Sequence, residues 1–204
     1  MTARTYHHGN LRQVLLDHAW RTLDVDGLAA LSLRQLARDA GVSHGASARH
    51  FRDKQALLDA LGIAGFAQLN GDLATAAAGP APFEERFRRA GLAYVSFAVE
   101  HPAILANMYS AKHHADASAD LVQLSHAGMA ALVDLINDAQ HAGAVLAGDA
   151  AELALVAFAA VHGVATLAVD DLLNGTSWHD AAEATISFIW RGLADPTSAV
   201  GTSR

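Results

Sequence analysis

The sequence predicts an all-α fold, on three observations. Apolar residues recur at three- and four-residue intervals in almost every segment, the period of an amphipathic helix. The period-2 alternation of β-branched residues that marks a half-buried strand is absent. Proline occurs only at Pro80, Pro82, Pro102 and Pro196, so long stretches are free of the residue that most strongly interrupts helices.

The elements follow in order. From about Asn10 to Asp26, Leu11, Val14, Leu15, Ala19 and Leu23 share one face, with Arg12, Asp17, Arg21 and Asp24 opposite. Gly27 is expected to end this helix in a left-handed conformation. Ser32 opens a second helix with Gln35 three residues on, the capping-box spacing, and Gly41 stops it. Ser43 is placed to cap a short third helix running through about His50. Asp53 is placed to cap a fourth, with Leu57, Leu58, Leu61 and Phe66 among its apolar positions. The run AAAGPAP at 76–82 is the clearest linker. Beyond it five further helices are predicted, over about 83–100, 102–110, 117–142, 150–173 and 177–194. A frayed tail is predicted from Pro196 onward. The expected division is therefore a head over 1–52, a connecting helix over 53–76, a helical body over 77–195 and a flexible tail over 196–204.

Composition narrows the class. Apolar residues make up 52% and charged residues 17%, which excludes disorder for most of the 204 residues. There is no cysteine, so disulfides, iron–sulfur ligation, zinc fingers and thiol nucleophiles are excluded together. The polar N-terminus lacks an apolar signal core, and a cytoplasmic protein is expected. The longest uncharged run, Leu153 to Val169, is shorter than the roughly 20 residues of a spanning helix, so it reads as a core helix and no membrane partner is expected. It is apolar nearly all round, as suits a helix with one face on the body core and the other on a second subunit. The net charge of −7 is unevenly spread: residues 1–61 hold eight basic and six acidic side chains, whereas 62–204 hold six and fifteen. A basic head on an acidic body suits a protein whose head alone approaches phosphate.

The segment Leu33 to Phe51, LRQLARDAGVSHGASARHF, carries the functional signal. Ala37 and Gly41 stand four apart, the spacing of a helix-turn-helix. The small residue permits a close helix crossing, and the glycine takes the positive φ of the turn. Val42 lies under the turn. The exposed N-terminal half of the next helix is then free to enter a major groove. The competing reading is an ordinary tight helical hairpin. Lys54, in the first turn of a helix where a cation opposes the macrodipole, fits a shared phosphate contact with free backbone N–H groups. Arg49, His50 and Arg52 cluster just before it, as a phosphate-facing or simply a solvated basic patch. His44 and Ser47 are the candidates for base-edge contact, and Arg4 belongs either to a minor-groove arm or to a free terminus.

At these residues the chain resembles the TetR-type bacterial transcriptional regulators. The resemblance rests on Ser32 through Leu58, especially AGVS, RHF at Arg49–Phe51 and DKQALLDAL at Asp53–Leu61. YHHGNLR at Tyr6–Arg12 is similar to the start of one subgroup. VHGVATLAVDDLL at Val161–Leu173 resembles that subgroup's C-terminal Trp-His-Gly motif, with Val161 in place of the tryptophan. The resemblance implies a three-helix helix-turn-helix head followed by a helical ligand-binding and dimerisation domain. It also implies a homodimer joined through the last two helices as a four-helix bundle. Such a protein represses from a palindromic duplex operator, and a small apolar effector alters the spacing of the two heads and releases the DNA. The expected DNA contacts are Arg4, Ser32, Arg34, Ser43, His44, Ser47, Arg49, His50 and Lys54. Two positions depart from the pattern: Ala48 replaces a phosphate-binding tyrosine, and Ser47 occupies a position that is usually apolar. The rival reading is an all-helical ligand-binding or interaction protein whose head no longer holds DNA.

The body carries Phe97, Met108, Tyr109, Met129 and Phe158 at helical spacing, with His126 and His162 as polar handles. These seven serve either as core or as the lining of an effector pocket. Gly62 and Gly65 mark either a bend in the fourth helix or a close packing contact. Adjacent histidines at His7–His8 and His113–His114 diverge and do not chelate one ion, so no metal or other cofactor is expected. There is no G-x-S-x-G, P-loop or GxGxxG, so no enzyme is expected.

Overall fold

The computed structural model describes residues 11–194. Their helices are α1 (Leu11–Asp26), α2 (Leu33–Asp39), α3 (His44–Ala48), α4 (Lys54–Ala77), α5 (Phe83–Glu100), α6 (Pro102–Lys112), α7 (Ala119–His141), α8 (Ala150–Val169) and α9 (Trp178–Leu193). Among the described residues the sole β pairing is an isolated bridge between Val145 and Ala194. The chain forms two compact units. One takes the described residues through Phe66 together with Ala103–Val122; the other takes Ala67–Pro102 and the chain from Gln123 onward. The linear division expected from the sequence places 103–122 with the body, whereas the contacts group this segment with the head.

In the first unit α1, α2 and α3 pack against one another. Leu15, Ala19, Leu23, Leu36, Ala37, Ala40 and Phe51 form their buried core. Burying a leucine side chain stabilises by about 1.5–3 kcal/mol. Gly41 is required by backbone geometry. At φ +68° its N–H donates to Arg38 O, and the Val42 N–H donates to Ala37 O. This is a Schellman closure, and it turns the chain sharply toward α3. Ser43 then caps α3, its Oγ accepting from the Ala46 N–H at 3.2 Å.

Ser32 corrects one expectation. It occupies the N-cap of α2, but its side chain makes no capping hydrogen bond. Gln35 turns away and donates to Asp39 Oδ1 at 2.7 Å, so the reciprocal box does not form. The chain enters α4 as expected: Asp53 Oδ1 accepts from the Ala56 N–H at 2.8 Å. The helix α4 is continuous over 24 residues, with no break at the two glycines. A Cβ on Gly65 would lie 2.6 Å from Met108 Sδ, and one on Gly62 would lie 2.9 Å from Leu121 Cδ1. Both glycines are therefore sites of close side-chain approach.

Two polar contacts reinforce this packing. Asn107 Nδ2 donates to Leu58 O at 3.0 Å, and Asp59 Oδ1 accepts from the Ser118 N–H at 3.0 Å. Their partners lie 49 and 59 residues apart in sequence, beyond the reach of any periodicity.

In the second unit α5, α8 and α9 pack together. Ile186 of α9 fits against Gly91 of α5, with its Cδ1 2.8 Å from where a glycine Cβ would stand. Arg88 of α5 joins Glu85 and Glu183 of α9 in an ion-pair network. Arg86 Nε donates to Ala77 O at 2.7 Å and Arg89 Nη2 to Ala78 O at 3.1 Å, satisfying carbonyls at the end of α4. Asp149 caps α8 through the Ala151 N–H, and Ser177 caps α9 through the Asp180 N–H. The α8 helix ends at Val169, four residues short of the expected limit. Asp171 and Asn174 take positive φ there, which a continuing helix does not allow.

Candidate nucleic-acid interface

The short α3 helix presents an uneven face. His44, Gly45 and Ala48 are exposed on it, and Arg49 and His50 follow directly. Ser32 and Arg34, at the start of α2, are exposed as well. Arg52 is exposed but pairs with Asp53 at 3.1 Å. The Ala56 N–H, with the Arg52 guanidinium beside it, holds the Asp53 carboxyl below the usual carboxylate range. Arg12 lies over the Phe51 ring, its guanidinium carbon 5.3 Å from the centroid. Arg38 bonds to the Gln35 side chain. Arg4 lies outside the described residues.

One expected contact is corrected, and a second residue is found to have a partner inside the head. Ser47 is fully buried, and its Oγ donates to His44 O at 2.9 Å. It is a core residue of the three-helix packing, with its hydroxyl satisfied one turn back, and it offers nothing to a base edge. Lys54 is exposed, but its Nζ donates to Leu28 O at 2.9 Å, in the turn after α1. One of its three ammonium donors is engaged within the head, and the first-turn Ala56 N–H is taken by Asp53.

The remaining arrangement is a tight α2–turn–α3 corner with its second helix exposed. Around it stand Arg34, Arg49 and His50, with no carboxylate among the exposed side chains of α3. Phosphate neutralisation and groove entry both need this combination.

The expected effector residues are divided between the two units. Met108 is fully buried against Gly65, and Tyr109 packs edge-on against Phe66 at 5.9 Å, both within the first unit. In the second unit Phe158 stacks on His162, with centroids 5.4 Å apart, and meets Tyr94 edge-on at 5.8 Å. The Tyr94 hydroxyl is 2.7 Å from His162 Nδ1, and burial pushes the His162 imidazole below its ordinary pKa. Phe97 is buried beside His101 and Met129 is half-buried. His126 is exposed. A cavity of about 260 Å³ opens in the first unit, lined by Leu23, Leu28, Gln55, Leu58, Asn107 and His114 among others. None of the seven residues lines it.

A helix-turn-helix corner in an all-helical chain defines the class of DNA-binding transcriptional regulators. Two family profiles match the chain: "Bacterial regulatory proteins, tetR family" over residues 15–61 and "Tetracyclin repressor-like, C-terminal domain" over residues 87–189. The protein belongs to the TetR family of transcriptional regulators. A solved structure of a protein of unknown function from Rhodococcus sp. RHA1 is 48% identical, with a TM-score of 0.88. That match covers 94% of this chain and 100% of the other. The TetR family transcriptional regulator PfmR from Thermus thermophilus is 18% identical over 89% of this chain and 99% of its own, with a TM-score of 0.69. A TetR family transcription regulator from Marinobacter aquaeolei VT8 is 18% identical over 91% and 96%, with a TM-score of 0.70. At that identity the last two show a shared fold. A comparison with curated proteins finds no significant match.

Proposed function

We propose that the protein is a cytoplasmic, effector-responsive repressor that grips a palindromic operator as a homodimer. The observation that carries this reading is the exposed α3 helix beside Arg34, Arg49 and His50. Arg34, Arg49 and His50 meet phosphates, Ser32 and Ser43 lie at the helix starts that approach the backbone, and His44 reaches base edges. The contact set is smaller than the sequence suggests, because Ser47 is buried.

The homodimer reading is supported by α8 and α9. Leu155, Val156 and Leu167 of α8 and Phe188 of α9 are exposed apolar side chains, Phe188 at 71%. Large apolar side chains exposed on two neighbouring helices suit an association site. Salt-dependent retention on duplex DNA tests the function. Release of counterions gives a log–log slope of about −0.9 per phosphate neutralised, so affinity falls steeply with salt. A protein that ignores duplex DNA at low salt is instead the helical ligand-binding or interaction protein.

A further inference from the structure

The α3 helix pairs one polar reader with a nearly bare surface. Its exposed residues are His44, Gly45 and Ala48, and Ser47 is turned fully into the core. A Cβ built on Gly45 meets nothing within 4 Å, so no neighbouring side chain covers the helix at that point. A helix bearing hydrogen and methyl where others carry long side chains brings its backbone close to base edges. Ala48 then presents one apolar methyl and no hydrogen-bonding atom. In the major groove the matching feature is the thymine C5-methyl group, the apolar mark among the base-edge patterns. His44 lies four residues before Ala48 on the same face, about 6 Å away along the axis. That is close to two base-pair steps of about 3.4 Å. Its imidazole N–H suits a purine N7 acceptor.

We infer that Ala48 is a specificity-determining residue that reads a thymine methyl in each operator half-site, with His44 reading a purine about two steps away. The inference rests on the DNA-binding reading above and names the class of sequence that this head selects. Burying about one methyl-sized group against Ala48 contributes roughly a fourfold preference per half-site, and about fifteenfold for two half-sites.

The test begins with selection from random duplexes by the full chain. The enriched operator is then made with deoxyuridine in place of the thymine, which removes only the methyl group. Binding of both duplexes is measured for the wild type and for Ala48→Gly. Each variant serves as its own reference, so any general loss from the added glycine cancels in the ratio. The expected result is about fifteenfold weaker wild-type binding to the doubly substituted duplex and a ratio near one for Ala48→Gly. A second variant, Ala48→Val, adds bulk where the methyl would sit and is expected to favour the deoxyuridine duplex. An equal thymine preference in wild type and Ala48→Gly overturns the inference, as does an enriched operator with no thymine in its half-sites. Retention on DNA with no sequence enriched overturns it too, while the DNA-binding reading survives. Absence of any retention at low salt overturns both.

Discussion

Lys54 shows how one side chain changes role once its acceptor is known. A cation in the first turn of a helix opposes the macrodipole, and the Leu28 carbonyl at 2.9 Å offsets that placement. Lys54→Met is therefore expected to lower stability by about 0.5–1 kcal/mol, as for an exposed hydrogen bond to a charged donor. It should leave the salt slope of DNA binding within about half a unit, whereas Arg49→Ala should reduce its magnitude by about one. Thermal melts and salt titrations of both variants check this, and a one-unit change for Lys54→Met would place its ammonium on phosphate. His162 makes a separate claim on pH. Burial lowers its folded pKa below the unfolded value of about 6.5, so as pH falls the unfolded chain takes up the proton first. Stability is then fully present above about pH 6.5 and is lost as pH falls toward the depressed folded value. Melting temperature measured from pH 8 to pH 5 should drop by roughly a few degrees, and His162→Gln should flatten that part of the profile.

At the level of the helix, α4 turns two ambiguous glycines into a specific packing statement. Gly65 receives Met108, and Met108 and Ile104 are both fully buried, so an added methyl there has nowhere to go. Gly65→Ala gains up to about 1 kcal/mol in helix propensity but incurs about 1–3 kcal/mol of overpacking. The expected net result is a loss of about 1 kcal/mol. Gly71 lies on the same helix with nothing within 4 Å of its would-be Cβ, so Gly71→Ala should stabilise by up to about 1 kcal/mol. Chemical denaturation of the two variants measures the contrast, and equal signs would reject the packing account. The helices themselves are legible in the sequence because 3.6-residue periodicity, Gly41 and the caps Ser43 and Asp53 are local signals. Ser47 departs from its expected base contact, while its burial agrees with the usually apolar position the resemblance gives it; the pattern within the five residues of α3 does not by itself specify which way the helix rolls against α1 and α2. The engagement of Lys54 by Leu28, 26 residues away, and of Leu58 by Asn107 are equally long-range.

Across the whole molecule, the exposed and buried faces of α8 and α9 separate two kinds of substitution. Ala165 and Ile186 are buried within the second unit, so a glutamate at either would disrupt the fold itself. Val156→Glu and Phe188→Glu place charge on the exposed apolar face. They are expected to yield folded monomers by sedimentation that bind operator at least about tenfold more weakly, because two half-sites must be gripped together. Persistent dimers in both variants would move the association surface elsewhere. The apolar character of α8 is readable from composition. Which of its faces stays open is not, because that depends on how α5 and α9 cover it. The grouping of Ala103–Val122 with the head also bears on modular exchange. The head's packing is discontinuous in sequence, so grafting the chain only through Phe66 onto a foreign body would leave Gly62 and Gly65 of α4 without Leu121 and Met108. A working chimaera would have to carry two inserts, the chain through Phe66 and the stretch 103–122. Recombination at a single crossover would instead separate partners that pack in one unit.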